Sequence, residues 1–75
     1  MIHVNLLEAR MKEKNVWYKD LAKAINMSYQ VLKGRCWGRT DFTRKEIIDI
    51  KNYLELSIEQ TLEIFFWSNS KLAVY

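Results

Sequence analysis

The sequence predicts an all-α domain of five short helices, and three observations carry that prediction. Its 75 residues include no Pro and two Gly, with 49% hydrophobic residues, so few breakers interrupt helix formation. Apolar residues recur at three- and four-residue spacing, as at Ile47, Ile50 and Leu54. Helix-start patterns recur too: Asn5 with Glu8, Thr43 with Glu46, and Ser57 with Gln60 each place a capping residue three positions before Glu or Gln.

In chain order, the Asn5 cap predicts a first helix to about Lys14, with Val4, Leu7 and Met11 on one side and Asn15 as a left-handed stop. His3 is expected as an exposed side chain ahead of it. A second helix runs from Trp17 or Tyr18 to Ile25, and Trp17 is either a core plug between the first two helices, the favoured role since aromatic side chains usually serve burial, or an exposed partner contact. Asn26-Met27-Ser28 is too tight a connection for antiparallel helices, so the next helix must cross steeply, as in a helix-turn-helix. Ser28 caps that third helix, which buries Leu32 and Cys36 and stops at Gly38. Phe42 anchors the following loop. The fourth helix starts after Thr43, and the fifth after Ser57, with Ile58, Leu62 and Phe65 on its inner face. The expected core comprises Leu7, Met11, Leu21, Ala22, Ile25, Leu32, Ile47, Ile50, Leu54, Leu62 and Phe65. Residues 1–67 form the domain and 68–75 a short C-terminal tail.

Charge is unevenly distributed. From Arg10 to Lys45 ten Lys or Arg stand against three acids, a net +7, whereas 46–75 carry a net −3. A basic surface over the helix-turn-helix suits a polyanion. If Leu32 and Cys36 point inward, Tyr29, Gln30, Lys33, Gly34 and Trp37 point outward. Gln30 has the two-fold geometry for an adenine edge, Lys33 can reach guanine acceptors, and Tyr29 offers a hydroxyl and a ring. Tyr18, Lys19, Lys23, Ser28, Arg35 and Arg39 are the expected phosphate contacts, with Arg35 snorkelling outward. Gly34 costs about 1 kcal/mol inside a helix relative to Ala, so its place there asks for a close approach or a frayed turn.

Other classes are disfavoured. One Cys and one His supply neither an internal disulfide nor a metal site, and no cofactor motif occurs. No catalytic constellation is present, so an enzyme is not expected. The chain lacks an apolar run of membrane-spanning length and a signal-peptide pattern, which predicts a cytoplasmic protein.

The run LAKAINMSYQVLKGRCWG resembles the helix-turn-helix of lambda-repressor-like proteins, the Cro and repressor relatives of phages and bacteria, matching at Leu21, Ala22, Ile25, Met27, Ser28 and Leu32. The later run FTRKEIIDIKNYLELSIEQTLEIFF is similar to small phage proteins of Gram-positive hosts, and together the likeness covers about residues 5–66. Tyr18, Asn26 and the Arg35-Cys36 pair depart from the family pattern. The resemblance implies a sequence-specific regulator that places its third helix in the major groove of double-stranded operator DNA, in a bacterial host cell. Relatives of this size bind paired, palindromic half-sites as homodimers, which requires a self-complementary apolar surface. Phe66 and Trp67 are the expected interface, because three successive rings from Phe65 cannot all enter one core. A second reading keeps the fold but changes the partner: an antirepressor that binds a phage repressor.

Overall fold

A computed structural model describes residues 2–66 and contains five α-helices: α1 Val4–Glu13, α2 Tyr18–Ala24, α3 Tyr29–Cys36, α4 Arg44–Leu54 and α5 Ile58–Phe65. No strand occurs among the described residues. Residue 67 and the tail beyond it, including the expected interface residue Trp67, lie outside the described residues.

One device ends four of the helices. Asn15, Asn26, Gly38 and Glu55 all take positive φ (57°, 57°, 88° and 54°) immediately after α1, α2, α3 and α4. Behind each, the amide of the next residue reaches back to the helix: Val16 to Met11 O at 2.9 Å, Met27 to Ala22 O at 2.8 Å, Arg39 to Gly34 O at 2.9 Å and Leu56 to Lys51 O at 2.9 Å. These are Schellman closures, which satisfy carbonyls that the helix leaves open. In three of them the residue after the left-handed one is apolar, Val16, Met27 or Leu56, and packs on the core. Each of these three stops therefore also returns the chain to the interior.

Starts are set by side chains. Ser28 Oγ accepts from Val31 N at 3.1 Å. Thr43 with Glu46, and Ser57 with Gln60, form complete reciprocal capping boxes, as their spacing predicts. α1 differs from expectation. His3, not Asn5, is its N-cap: Nδ1 accepts from Leu6 N at 3.3 Å while the His3 amide donates to Ile64 O at 2.8 Å. His3 is thus half-buried and joins α1 to the end of α5, so the helix begins two residues early and Asn5 sits exposed within it.

The core gathers Leu7, Met11, Leu21, Ala22, Ile25, Leu32, Cys36, Ile50, Leu54 and Phe65, together with Ile2, Val4, Leu56 and Ile64. Two expectations fail here. Trp17 is 76% exposed rather than a core plug, because it is the N-cap of α2 with extended backbone (φ −98°, ψ 165°), and Val16 occupies the inner position. Leu62 is 47% exposed and Ile58 69%, because α5 turns Thr61, Ile64 and Phe65 inward instead. Ile47 is only partly buried. Buried Thr61 donates its hydroxyl to Ser57 O at 2.8 Å, so its polar group is satisfied. Phe42 meets Phe65 edge to face at 5.2 Å and does anchor the loop after α3.

Leu21 and Leu32 are fully buried, so truncating either to Ala is expected to cost about 2–5 kcal/mol. Leu62→Ala, on the surface, is expected to change stability by under about 0.5 kcal/mol. Urea unfolding of the three variants checks this contrast.

Candidate nucleic-acid interface

α2 and α3 pack against each other across the turn at Asn26. Leu32 and Cys36 lock the inner side of α3 into the core, which leaves Tyr29, Gln30, Lys33, Gly34 and Trp37 on its outer side as the spacing requires. Those five residues and Arg39 line a surface hollow of about 340 Å³. Of the expected phosphate contacts, Lys19 and Lys23 on α2 and Arg39 after α3 are exposed and form no ion pair among the described residues.

Three of the expected site residues are already engaged. Ser28 spends its hydroxyl on capping α3. Tyr18 donates its hydroxyl to Glu8 Oε2 at 2.7 Å, tying α2 to α1. Burial, then this hydrogen bond, pushes the phenol far above the ordinary tyrosine value, so it remains a donor. Arg35 does not snorkel outward. Its Nε lies 2.9 Å from Glu46 Oε1, and its Nη1 donates to Thr40 Oγ1 at 2.8 Å and Asp41 O at 3.3 Å. The Arg35 side chain is 21% exposed and holds the loop after α3 against the start of α4. The same Glu46 oxygen accepts from Thr43 N at 2.9 Å, so one carboxylate both caps α4 and receives Arg35.

Sequence spacing alone does not reveal where the Lys33 ammonium sits. Nζ stands 4.3 Å from the centre of the Tyr18 ring, 5.7 Å from Trp37 and 6.0 Å from Tyr29. Tyr18 and Tyr29 meet edge to face at 6.5 Å. The cation is held at the edge of the outer face by three rings, each contact worth about 0.5–1 kcal/mol when exposed. Together they amount to about 1.5–3 kcal/mol, comparable with the about 1–3 kcal/mol by which a good bidentate contact discriminates a base, so an external anion or base edge competes with the rings for the ammonium.

Gly34 supplies a separate clue. A Cβ built there meets only Arg39 Cδ at 3.7 Å and Arg39 Cβ at 3.8 Å, which are ordinary contacts, and its backbone is helical. Nothing inside the molecule requires a glycine. The missing side chain instead opens the outer face of α3 to whatever approaches it.

No group of three or more His, Cys, Asp and Glu that could hold a metal occurs among the described residues. No helix among the described residues is long and apolar enough to cross a membrane. Cys36, the free thiol, is buried, and burial raises its pKa from 9.0 to about 11, away from nucleophilic reactivity at neutral pH. Comparison of the chain with family models, curated proteins and solved structures returns no match.

Two measurements follow from this geometry. Gly34→Ala is expected to stabilise the fold by up to about 1 kcal/mol while weakening ligand binding at α3, and thermal melts beside a binding titration read the two effects separately. The thiol and the Tyr18 phenol both hold their protons more tightly folded than unfolded. The stability they contribute is therefore complete below about pH 8.5 and declines as pH rises, because the unfolded chain ionises first. Urea midpoints between about pH 8 and 11 should fall, and fall less in Tyr18→Phe.

Proposed function

We propose that the chain is a lambda-repressor-like regulator whose α2–turn–α3 unit is a helix-turn-helix that binds double-stranded DNA with α3 in the major groove. One observation carries the reading: α3 is fixed by Leu32 and Cys36 so that Gln30, Lys33 and an internally unrequired Gly34 face outward together, while Lys19 and Lys23 on α2 and Arg39 after α3 are exposed and form no ion pair among the described residues. Gln30 reads an adenine edge, and Lys33, released from its rings, reaches a guanine or a phosphate. Lys19, Lys23 and Arg39 take phosphates. Arg35 serves by holding the end of α3 in place rather than by touching the backbone. Tyr18 likewise positions Lys33 and Tyr29. A single α3 spans few base pairs, so two copies occupy paired half-sites of an operator in the host cell's cytoplasm.

The antirepressor reading places a phage repressor on the same face. It is favoured by the aromatic content of that face, where Trp37 is 50% and Tyr29 47% exposed. Aromatic residues of this kind are common at the centres of protein interfaces.

Salt-titrated binding to operator-like and random duplexes separates these readings. On DNA, log affinity falls with log salt by about 0.9 per phosphate neutralised. Gln30→Ala is expected to weaken the preferred sequence selectively by about 1–3 kcal/mol, and Lys23→Ala to weaken all sequences alike. Equal losses on both DNAs for Gln30→Ala remove it from base reading. Absence of any duplex binding at low salt, with complex formation on a repressor domain, transfers α3 to the antirepressor role.

A further inference from the structure

Three exposed rings, Trp17 just ahead of α2, Tyr29 at the start of α3 and Trp37 just after it, border two hollows that adjoin at the middle ring. Trp17 and Tyr29 wall a hollow of about 500 Å³ together with Tyr18, Lys19 and Asp20. Tyr29 and Trp37 wall the hollow of about 340 Å³ on α3, which also takes in Lys33 and Arg39. Tyr29 borders both, so the hollows make one track that leads from Trp17 to Trp37. Cations alternate with the rings along it: Lys19 in the first hollow, Lys33 and Arg39 in the second. Asp20 is the one acid among these lining residues, and it keeps its charge while accepting from the Trp17 amide at 2.9 Å. Three cations thus stand against one carboxylate. The fold does not need the three rings in its core, since Val16 packs there beside Trp17, and Leu32 and Cys36 supply the buried side of α3.

We propose that this track binds single-stranded nucleic acid, with unpaired bases stacked on Trp17, Tyr29 and Trp37 and the phosphates between them on Lys19, Lys33 and Arg39. Cations interleaved with exposed rings hold a single strand because every base has a face to stack and every link a charge to neutralise. A duplex makes poor use of such rings. Its bases stack on one another and show a groove only their edges, which suits Gln30 but not the faces of three rings. An apolar protein surface would cover the rings and leave the cations between them unpaired. The dimensions fit as well: at 1.5 Å per residue Tyr29 and Trp37 stand about 12 Å apart along α3, the length of about three stacked nucleotides at 3.4 Å each. Lys33, over the rings of Tyr18, Trp37 and Tyr29 at 4.3, 5.7 and 6.0 Å, exchanges them for a phosphate as bases arrive. Strand and duplex compete, since Lys19, Lys33 and Arg39 serve both. The inference goes beyond the proposed function and does not rest on it, because Trp17 has no part in duplex recognition.

The experiment is fluorescence anisotropy of labelled probes with the full chain at about 50 mM salt. The probes are oligodeoxyuridine, oligouridine, an abasic deoxyribose-phosphate strand and a mixed-sequence duplex, each about twelve units long. At least one of the two base-bearing strands is expected to bind about tenfold or more tighter than the abasic strand, which carries the same charge without bases. The two differ in the 2′-hydroxyl, so the tighter one assigns the strand as DNA or RNA. Trp17→Ala is expected to lower that affinity about fivefold or more while leaving the abasic strand and the duplex within about twofold, and Trp17→Phe, which keeps a ring, to recover most of the loss. Far-UV circular dichroism verifies folding, and Trp17→Gln replaces Trp17→Ala if helical signal is lost. Base-bearing strands bound no tighter than the abasic one overturn the proposal, as does a Trp17→Ala protein that binds them like the wild type. A wild type that binds the duplex and neither strand overturns this inference alone; one that binds a strand and no duplex supports it and removes duplex recognition instead.

Discussion

The left-handed backbone at Asn26 is the constraint on which the candidate site depends. With φ at 57°, the residue ends α2 and lets Met27 N reach back to Ala22 O at 2.8 Å, so the chain must leave the helix in a fixed direction. Two residues later Ser28 opens α3 by capping Val31 N. Between a backbone stop and a side-chain start there is no slack. Asparagine tolerates this conformation better than most side chains because its short amide can hydrogen-bond locally. The angle of α3 is therefore settled by a few residues of turn, and burial of Leu32 and Cys36 then fixes its rotation.

Around that turn, polar contacts fasten α3 and its neighbours at both ends. Glu8 on α1 holds the Tyr18 hydroxyl, Tyr18 meets Tyr29 edge to face, and the Lys33 ammonium lies over both rings and over Trp37. At the far end Arg35 bridges to Glu46, Thr40 and Asp41. The Arg35 to Glu46 pair is more shielded from water than the other ion pairs, with side chains 21% and 17% exposed, so salt screens it less than it does Lys45 with Asp49. A helix of eight residues has little stability of its own. Its outer face can carry Gly34 because these tethers, and not intrinsic helix propensity, hold it.

What could be read from the sequence was what short-range geometry decides. The capping residues Ser28, Thr43 and Ser57, the left-handed Asn15 and Asn26, and the stop at Gly38 all act within four residues, and all are where their spacing puts them. The inner stripe of α3 was legible for the same reason. Residues whose place depends on distant packing were not. Asn5 and Glu8 have capping-box spacing, but His3 is drawn to Ile64 O and starts the helix first, while Glu8 is taken by Tyr18. Leu62 has the right spacing from Ile58 for an inner face, yet Ile64 fills that side, a choice made by the helices α5 packs against. For Arg35, the expected route to solvent is closed by Glu46, eleven residues away. One local signal was there to be weighed: Glu55, without the freedom of glycine or asparagine, holds φ at 54° because Leu56 behind it is buried.

The misplaced residues share a consequence. Trp17, Ile58 and Leu62 were expected to serve the core, and each instead remains on the surface of a domain with little apolar area to spare. Core formation does not need them, since Val16, Ile64 and Leu56 fill the inner positions. Their chemistry must then be explained from outside the molecule, as with Gly34, where the fold accepts a side chain that the sequence withholds. Exposed rings and aliphatic rows carry a solubility cost that polar replacements at the same positions would avoid. A chain that keeps them leaves exposed apolar groups at Trp17 and along α5 that its own core does not use.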